Sequence, residues 1–190
     1  MTRAALLFTL LLLGACSGQP PEPNYYLLRS DGDLSTRTLQ PADDFALGKV
    51  SIAPYIDQRG LLVETPEGDL RPARYHLWAE PVYEGISLFL LKEIASQSGD
   101  DLLPAVTSPD LGAINVRIDQ LHGTRDGHAK LVAYWWLERG GELVSAHQFA
   151  EMRPLASDGY GALVAAEKEL LAMLAGEIAA SLSAARSAAE

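Results

Sequence analysis

Ile114-Asn115-Val116-Arg117-Ile118-Asp119 and, shortly after, Ala129-Lys130-Leu131-Val132-Ala133-Tyr134-Trp135-Trp136-Leu137 decide how this chain folds. Apolar and polar residues alternate in the first run, and in the second Ala129, Leu131, Ala133, Trp135 and Leu137 alternate with His128, Lys130 and Tyr134. Successive strand side chains point to opposite faces, so each run presents one apolar face to a core. Glu138-Arg139-Gly140-Gly141 makes a hairpin turn into a third strand over residues 142–152. The result is an antiparallel meander. Its phase slips at Gln120-Leu121, where a bulge would let two residues share one ladder position.

Working back towards the N-terminus, residues 25–29 and 47–53 read as strands, the second with Val50 and Ile52 on one face and Lys49 and Ser51 on the other. Residues 61–65 and 74–77 pair around the turn Pro66-Glu67-Gly68-Asp69, with Pro72 limiting the ladder. A helix follows. Pro81 suits its first turn, Glu80 and Glu84 complement the positive end of its dipole, and Gly99 caps its end. Val82, Ile86, Phe89, Leu90 and Ile94 form its buried stripe. A second helix after Pro154, capped by Asp158, carries Leu163, Ala166, Leu170, Leu174, Ile178 and Leu182, and residues 184–190 fray. Glu167, Lys168, Glu169 and Glu177 interrupt it, so it is no membrane span. The expected fold is α+β: a two-layer sandwich with a mostly antiparallel sheet of about six strands and two main helices on one face.

The first 15 residues read as a secretory leader: Arg3, an apolar run over residues 4–13, then small residues Gly14 and Ala15. The run is too short for a hydrocarbon core of about 30 Å. Leu13-Gly14-Ala15-Cys16 resembles the lipobox of bacterial lipoproteins, in which the cysteine thiol receives a diacylglycerol, the leader is cut before it and the new amine is acylated with a palmitate-type chain. Two acyl chains already hold a protein stably at a membrane. Cys16 is the only cysteine, which excludes an internal disulfide and a thiolate metal cluster. Ser17, in place of aspartate, favours the periplasmic face of the outer membrane. Residues 16–24 are the lipidated cysteine and a tether, whose residues 17–24, three of them proline, extend over about 25 Å at about 3.1 Å per residue. Residues 25–190 would be one periplasmic domain.

Without the leader, 14 basic residues face 25 acidic ones, a net charge of −11. That excludes nucleic acid as the main partner, because binding it requires a basic footprint. Motifs for a nucleophile elbow, a zinc helix, a phosphate loop and a calcium loop are absent. No catalytic residue or metal ligand is assigned, and no cofactor beyond lipid on Cys16. His122 and His128 could face each other across a hairpin, but His76, His122, His128 and His147 read as ordinary histidines. Asp57, Arg59 and Glu64 read as a solvated rim more readily than as acid, base and clamp. The aromatics carry more. Tyr25, Tyr26, Trp78, Tyr134 and Trp136 are candidates for binding a partner, the alternative being rings covered by a loop.

Several segments taken together resemble the PqiC-like family of ABC-type transport auxiliary lipoproteins. They are the lipobox with Asn24-Tyr25-Tyr26-Leu27-Leu28, Val50-Ser51-Ile52-Ala53-Pro54-Tyr55-Ile56 running on to Leu61-Leu62-Val63, and Trp78-Ala79-Glu80-Pro81. Ile114-x-Val116-x-Ile118 followed by Gly123-Thr124-Arg125-Asp126-Gly127 completes the series. Ile56-Asp57-Gln58-Arg59-Gly60 departs from one common version of the pattern. The resemblance implies an α+β sandwich and a non-enzymatic auxiliary component of intermembrane lipid transport. Such a component is an outer-membrane docking adaptor for a periplasmic protein of the mammalian-cell-entry (MCE) type, possible also as a homo-oligomeric ring. A direct lipid carrier with an acyl-chain pocket is the alternative. Only Cys16 carries over as a residue with defined chemistry.

Overall fold

The computed structural model describes residues 20–30 and 38–188. Seven strands, β1 (Asn24–Tyr26), β2 (Phe45–Ile52), β3 (Gly60–Glu64), β4 (Leu70–Trp78), β5 (Gly112–Gly123), β6 (His128–Arg139) and β7 (Glu142–Pro154), accompany two helices, α1 (Val82–Ser98) and α2 (Tyr160–Ser187). The α+β class holds. The strands form one sheet in the order β1-β4-β3-β5-β6-β7, with β2 also paired to β5. β2 runs alongside Gly112 to Ile118 of β5, and β3 meets the same strand further on, at Gly123. The sheet is mixed: β1 with β4, β2 with β5 and β3 with β5 are parallel, and the remaining pairs are antiparallel. A parallel pair needs a long crossover, which for β2 and β5 is everything from β3 to α1.

The meander follows the alternation. Ile114, Val116 and Ile118 of β5 and Leu131, Ala133, Trp135 and Leu137 of β6 are buried in the shared core with Ile86, Phe89, Leu90 and Ile94 of α1 and Leu163, Leu170, Leu174 and Ile178 of α2. Both helices lie on that face, α2 against α1, β6 and β7. The Trp135 indole donates to Ser181 Oγ at 3.1 Å, which satisfies its buried N–H and pins the last third of α2 over β6. The register slips between Ile118 and Gln120, so the extra residue is Asp119, beside the expected position. Its carbonyl accepts a hydrogen bond from the Tyr55 hydroxyl at 3.2 Å.

Of four local expectations, two hold and two change. Pro72 limits the β3–β4 ladder as expected: pairing is regular from Leu70 to Pro72, opposite Glu64 to Leu62, and beyond it the register shifts so that Gly60 meets Leu77. Asp158 does not cap α2: the N-cap position is Gly159, with no side-chain hydrogen bond to the helix. The helix end does not fray at residue 184. Arg186 reaches Asp44 at 2.6 Å and Asp100 at 2.8 Å and ties the last turn to the start of β2 and the end of α1. Gly99 does cap α1, in the left-handed conformation (φ 85°) that glycine adopts without penalty.

Candidate functional site

Cys16, the leader and residues 17–19 of the tether lie outside the described residues, which begin four positions before β1. Asn24 and Tyr25 pair with His76 and Leu77 of β4, so the tether joins the domain at one edge of the sheet.

The candidate aromatics do not form one cluster. Tyr25, on the edge strand, is 55% exposed. Tyr26 points the other way. Its hydroxyl hydrogen-bonds His76 Nδ1 at 2.9 Å, and His76 stacks on Tyr160 of α2 with ring centroids 4.1 Å apart. Trp78 is a correction: it is 6% exposed and belongs to the core. It stands opposite Tyr26, on the face the helices cover, so its indole offers no surface to a partner. Tyr134 and Trp136 do come together. They alternate with the buried Trp135 and Leu137 and therefore occupy the face away from the helices. Arg117, Tyr134 and Gln148 lie abreast across β5, β6 and β7, and Asn115, Trp136 and Ala146 form the next row. Tyr134 is 39% exposed and Trp136 half-buried.

The remaining candidates are dispersed. His122 pairs with Lys130 and not with His128, and its ring is buried, with Nδ1 3.2 Å from the Gly123 carbonyl oxygen. His128 Nδ1 lies 3.5 Å from Asp126. His147 stacks on Trp135 with centroids 4.7 Å apart. Asp57 and Arg59 are exposed in the loop before β3 and Glu64 half-buried at its end. Among the described residues, no three His, Cys, Asp or Glu side chains are grouped as metal ligands require.

Three features escaped the sequence reading. Glu167 is 2% exposed, one Oε has no hydrogen-bond partner, and burial pushes its carboxyl up to about 8. Its spacing of four from Leu163 and from Leu171 was the signal, since it places the residue inside the buried stripe. Between β7 and α2 runs a groove of about 610 Å³, lined by Trp135, Phe149, Met173, Gly176, Glu151 and Glu177 among others. A smaller apolar cleft of about 220 Å³, walled by Val63, Gly123, Leu155, Tyr160 and Leu163, opens where α2 begins.

Known proteins are similar to the chain in sequence and in fold. Residues 25–179 match the family described as ABC-type transport auxiliary lipoprotein component. The intermembrane transport lipoprotein PqiC of Escherichia coli (strain K12) is 26% identical over 162 residues, covering 81% of this chain and 83% of that protein, and PqiC of Shigella flexneri gives the same figures. In fold, the chain is similar to a solved uncharacterized protein, with a TM-score of 0.72 at 21% identity over 85% of this chain and 99% of that one. It is also similar to a protein of Xanthomonas campestris, with a TM-score of 0.61 at 17% identity over 75% and 89% of the two chains.

Proposed function

The chain belongs to the family of ABC-type transport auxiliary lipoprotein components, and from that premise we propose that it is the docking adaptor of an MCE/ABC-type intermembrane lipid transport system. In this reading Cys16 carries the lipid that holds the domain on the periplasmic face of the outer membrane. The domain itself catalyses nothing and contributes position. One observation carries the proposal: the family match starts at the first strand, which leaves Cys16 and the proline-rich tether just ahead of a domain whose exposed sheet face carries Tyr134 and Trp136. An eight-residue spacer keeps that domain within about 25 Å of the membrane, and two acyl chains suffice to prevent its release.

The apolar cleft at the start of α2 favours a second reading, a carrier that shelters an acyl chain. Its volume of about 220 Å³ is below the roughly 300 Å³ at which small-molecule pockets begin, too little for a whole phospholipid, so docking is the better supported role. Affinity purification from solubilised envelope tests it. An MCE-type protein should be recovered with the chain, and recovery of none under conditions that keep such complexes intact would count against the adaptor. Native mass spectrometry of the gently purified protein separates the readings, since stoichiometric phospholipid would favour the carrier.

A further inference from the structure

Two of the sheet's edges, those of β4 and β7, are built differently. On one side, residues 70–75 of β4 lie beyond the reach of β1, and this short stretch contains Arg71, Pro72 and Arg74. Charges and proline are the devices by which sheets keep other chains from pairing with an open edge. On the other side β7 is 13 residues long and, among the described residues, pairs only with β6. From Leu143 to Ala150 it reads Leu-Val-Ser-Ala-His-Gln-Phe-Ala, with no lysine, arginine, proline or carboxylate. Leu143, Val144 and Met152 stand exposed along it. An edge of this length without protection is a template for another strand.

The groove beside that edge adds side-chain selectivity. Its lining includes Gln148 and Ala150 from one face of β7 and Phe149 and Glu151 from the other, so it wraps around the strand's open backbone. Trp135, Phe149 and the exposed Met173 give it apolar walls. Glu151 and Glu177 supply exposed negative charge, and the nearest arginine of β7, Arg153, is already engaged by Glu169 at 2.9 Å.

We propose that β7 is a docking edge that takes an extended segment of a partner protein as an additional strand, with apolar side chains entering the groove and basic ones meeting Glu151 and Glu177. Main-chain hydrogen bonds supply the affinity of such strand addition, and the pockets for alternate side chains supply its specificity. A second copy of this chain fits less well. Two β7 edges would bring like acidic rims together, and the β4 edge is half as long and interrupted by Pro72. The proposal rests on the docking reading above and adds the β7 edge to the sheet face of Tyr134 and Trp136, which lie directly beside Gln148 and Ala146 of β7.

The test is site-specific photocrosslinking in cells that make the full chain. A benzophenone amino acid is placed singly at Ala146, Gln148 and Ala150, at Tyr134 on the sheet face, and at Leu88 on α1 as a remote exposed control. The expected result is that the β7 positions crosslink one envelope protein, with these alternate β7 residues reaching alternate residues of one extended segment in constant register. The double substitution Glu151→Lys, Glu177→Lys should lower that yield about tenfold while the melting temperature stays unchanged. Recovery of the partner with crosslinks only from Tyr134 would overturn the β7 proposal and leave the adaptor standing. Crosslinks from β7 to a second copy, or a yield indifferent to the charge reversal, would also overturn it. Failure to recover any partner would remove both.

Discussion

Replacing Glu167 with glutamine removes one proton equilibrium from the centre of the core and little else. The side chain is 2% exposed and burial moves its carboxyl from an ordinary 4.5 to about 8. Between those values the folded state binds a proton that the unfolded state releases, so stability falls as pH rises through this window and stops falling above about 8. A gap of about 3.5 pH units at 1.36 kcal/mol each is on the order of 5 kcal/mol at the alkaline end and about 3 kcal/mol at pH 7. The amide has the shape of the carboxyl, stays neutral throughout, and is as poorly partnered as the protonated acid it replaces. Parent and Glu167→Gln should therefore be nearly equal in stability at pH 4.5 and diverge in the variant's favour as pH rises. Urea unfolding followed by tryptophan fluorescence at pH 4.5, 6, 7 and 9 measures the difference directly. A difference that stays constant across that range would refute the reasoning, because it would mean that Glu167 is either paired or hydrated in the folded protein.

Trp78→Ala should cost about 3–5 kcal/mol as a core cavity, whereas Tyr134→Ala, on the open sheet face, should cost clearly less stability and weaken partner recovery about tenfold or more; thermal melts and pull-downs on both variants separate the two roles. Gly112→Ala should destabilise by about 1–3 kcal/mol, because its Cβ would stand 2.5 Å from two ring carbons of Phe45, itself only 1% exposed, and a melt of this variant equal to the parent's would contradict the packing. Cys16→Ser should shift the protein from the membrane to the soluble periplasmic fraction, and unchanged fractionation and acylation would defeat the lipid-anchor reading.

Much of the architecture is local in origin and so was open to reading from the chain alone. The alternation at Ile114, Val116 and Ile118 and from Ala129 to Leu137 is imposed by the two-residue period of a strand, and the stripes from Val82 to Ile94 and Leu163 to Leu182 by the helical period. Each periodicity says which side chains share a face, and that suffices to build an α+β sandwich. Even the bulge at Asp119 announced itself as a break in phase. Cys16 is a candidate for the same reason: its neighbours in sequence are the whole signal.

What the tertiary structure decided is which faces and edges are covered, since that depends on residues far away in the chain. Trp78 reads in the sequence as a candidate for binding a partner, but its face of β4 is the one the helices cover. Glu167 interrupts the apolar run in the sequence, yet the folded domain buries it and leaves one of its oxygens without a partner. Arg186 secures a helix end only because Asp44 and Asp100, 142 and 86 residues earlier, arrive beside it. The parallel placement of β2 along β5 and the open edge of β7 are likewise matters of strand order. Backbone groups of a strand are indifferent to sequence, so only the assembled sheet shows which of them are left without a neighbour.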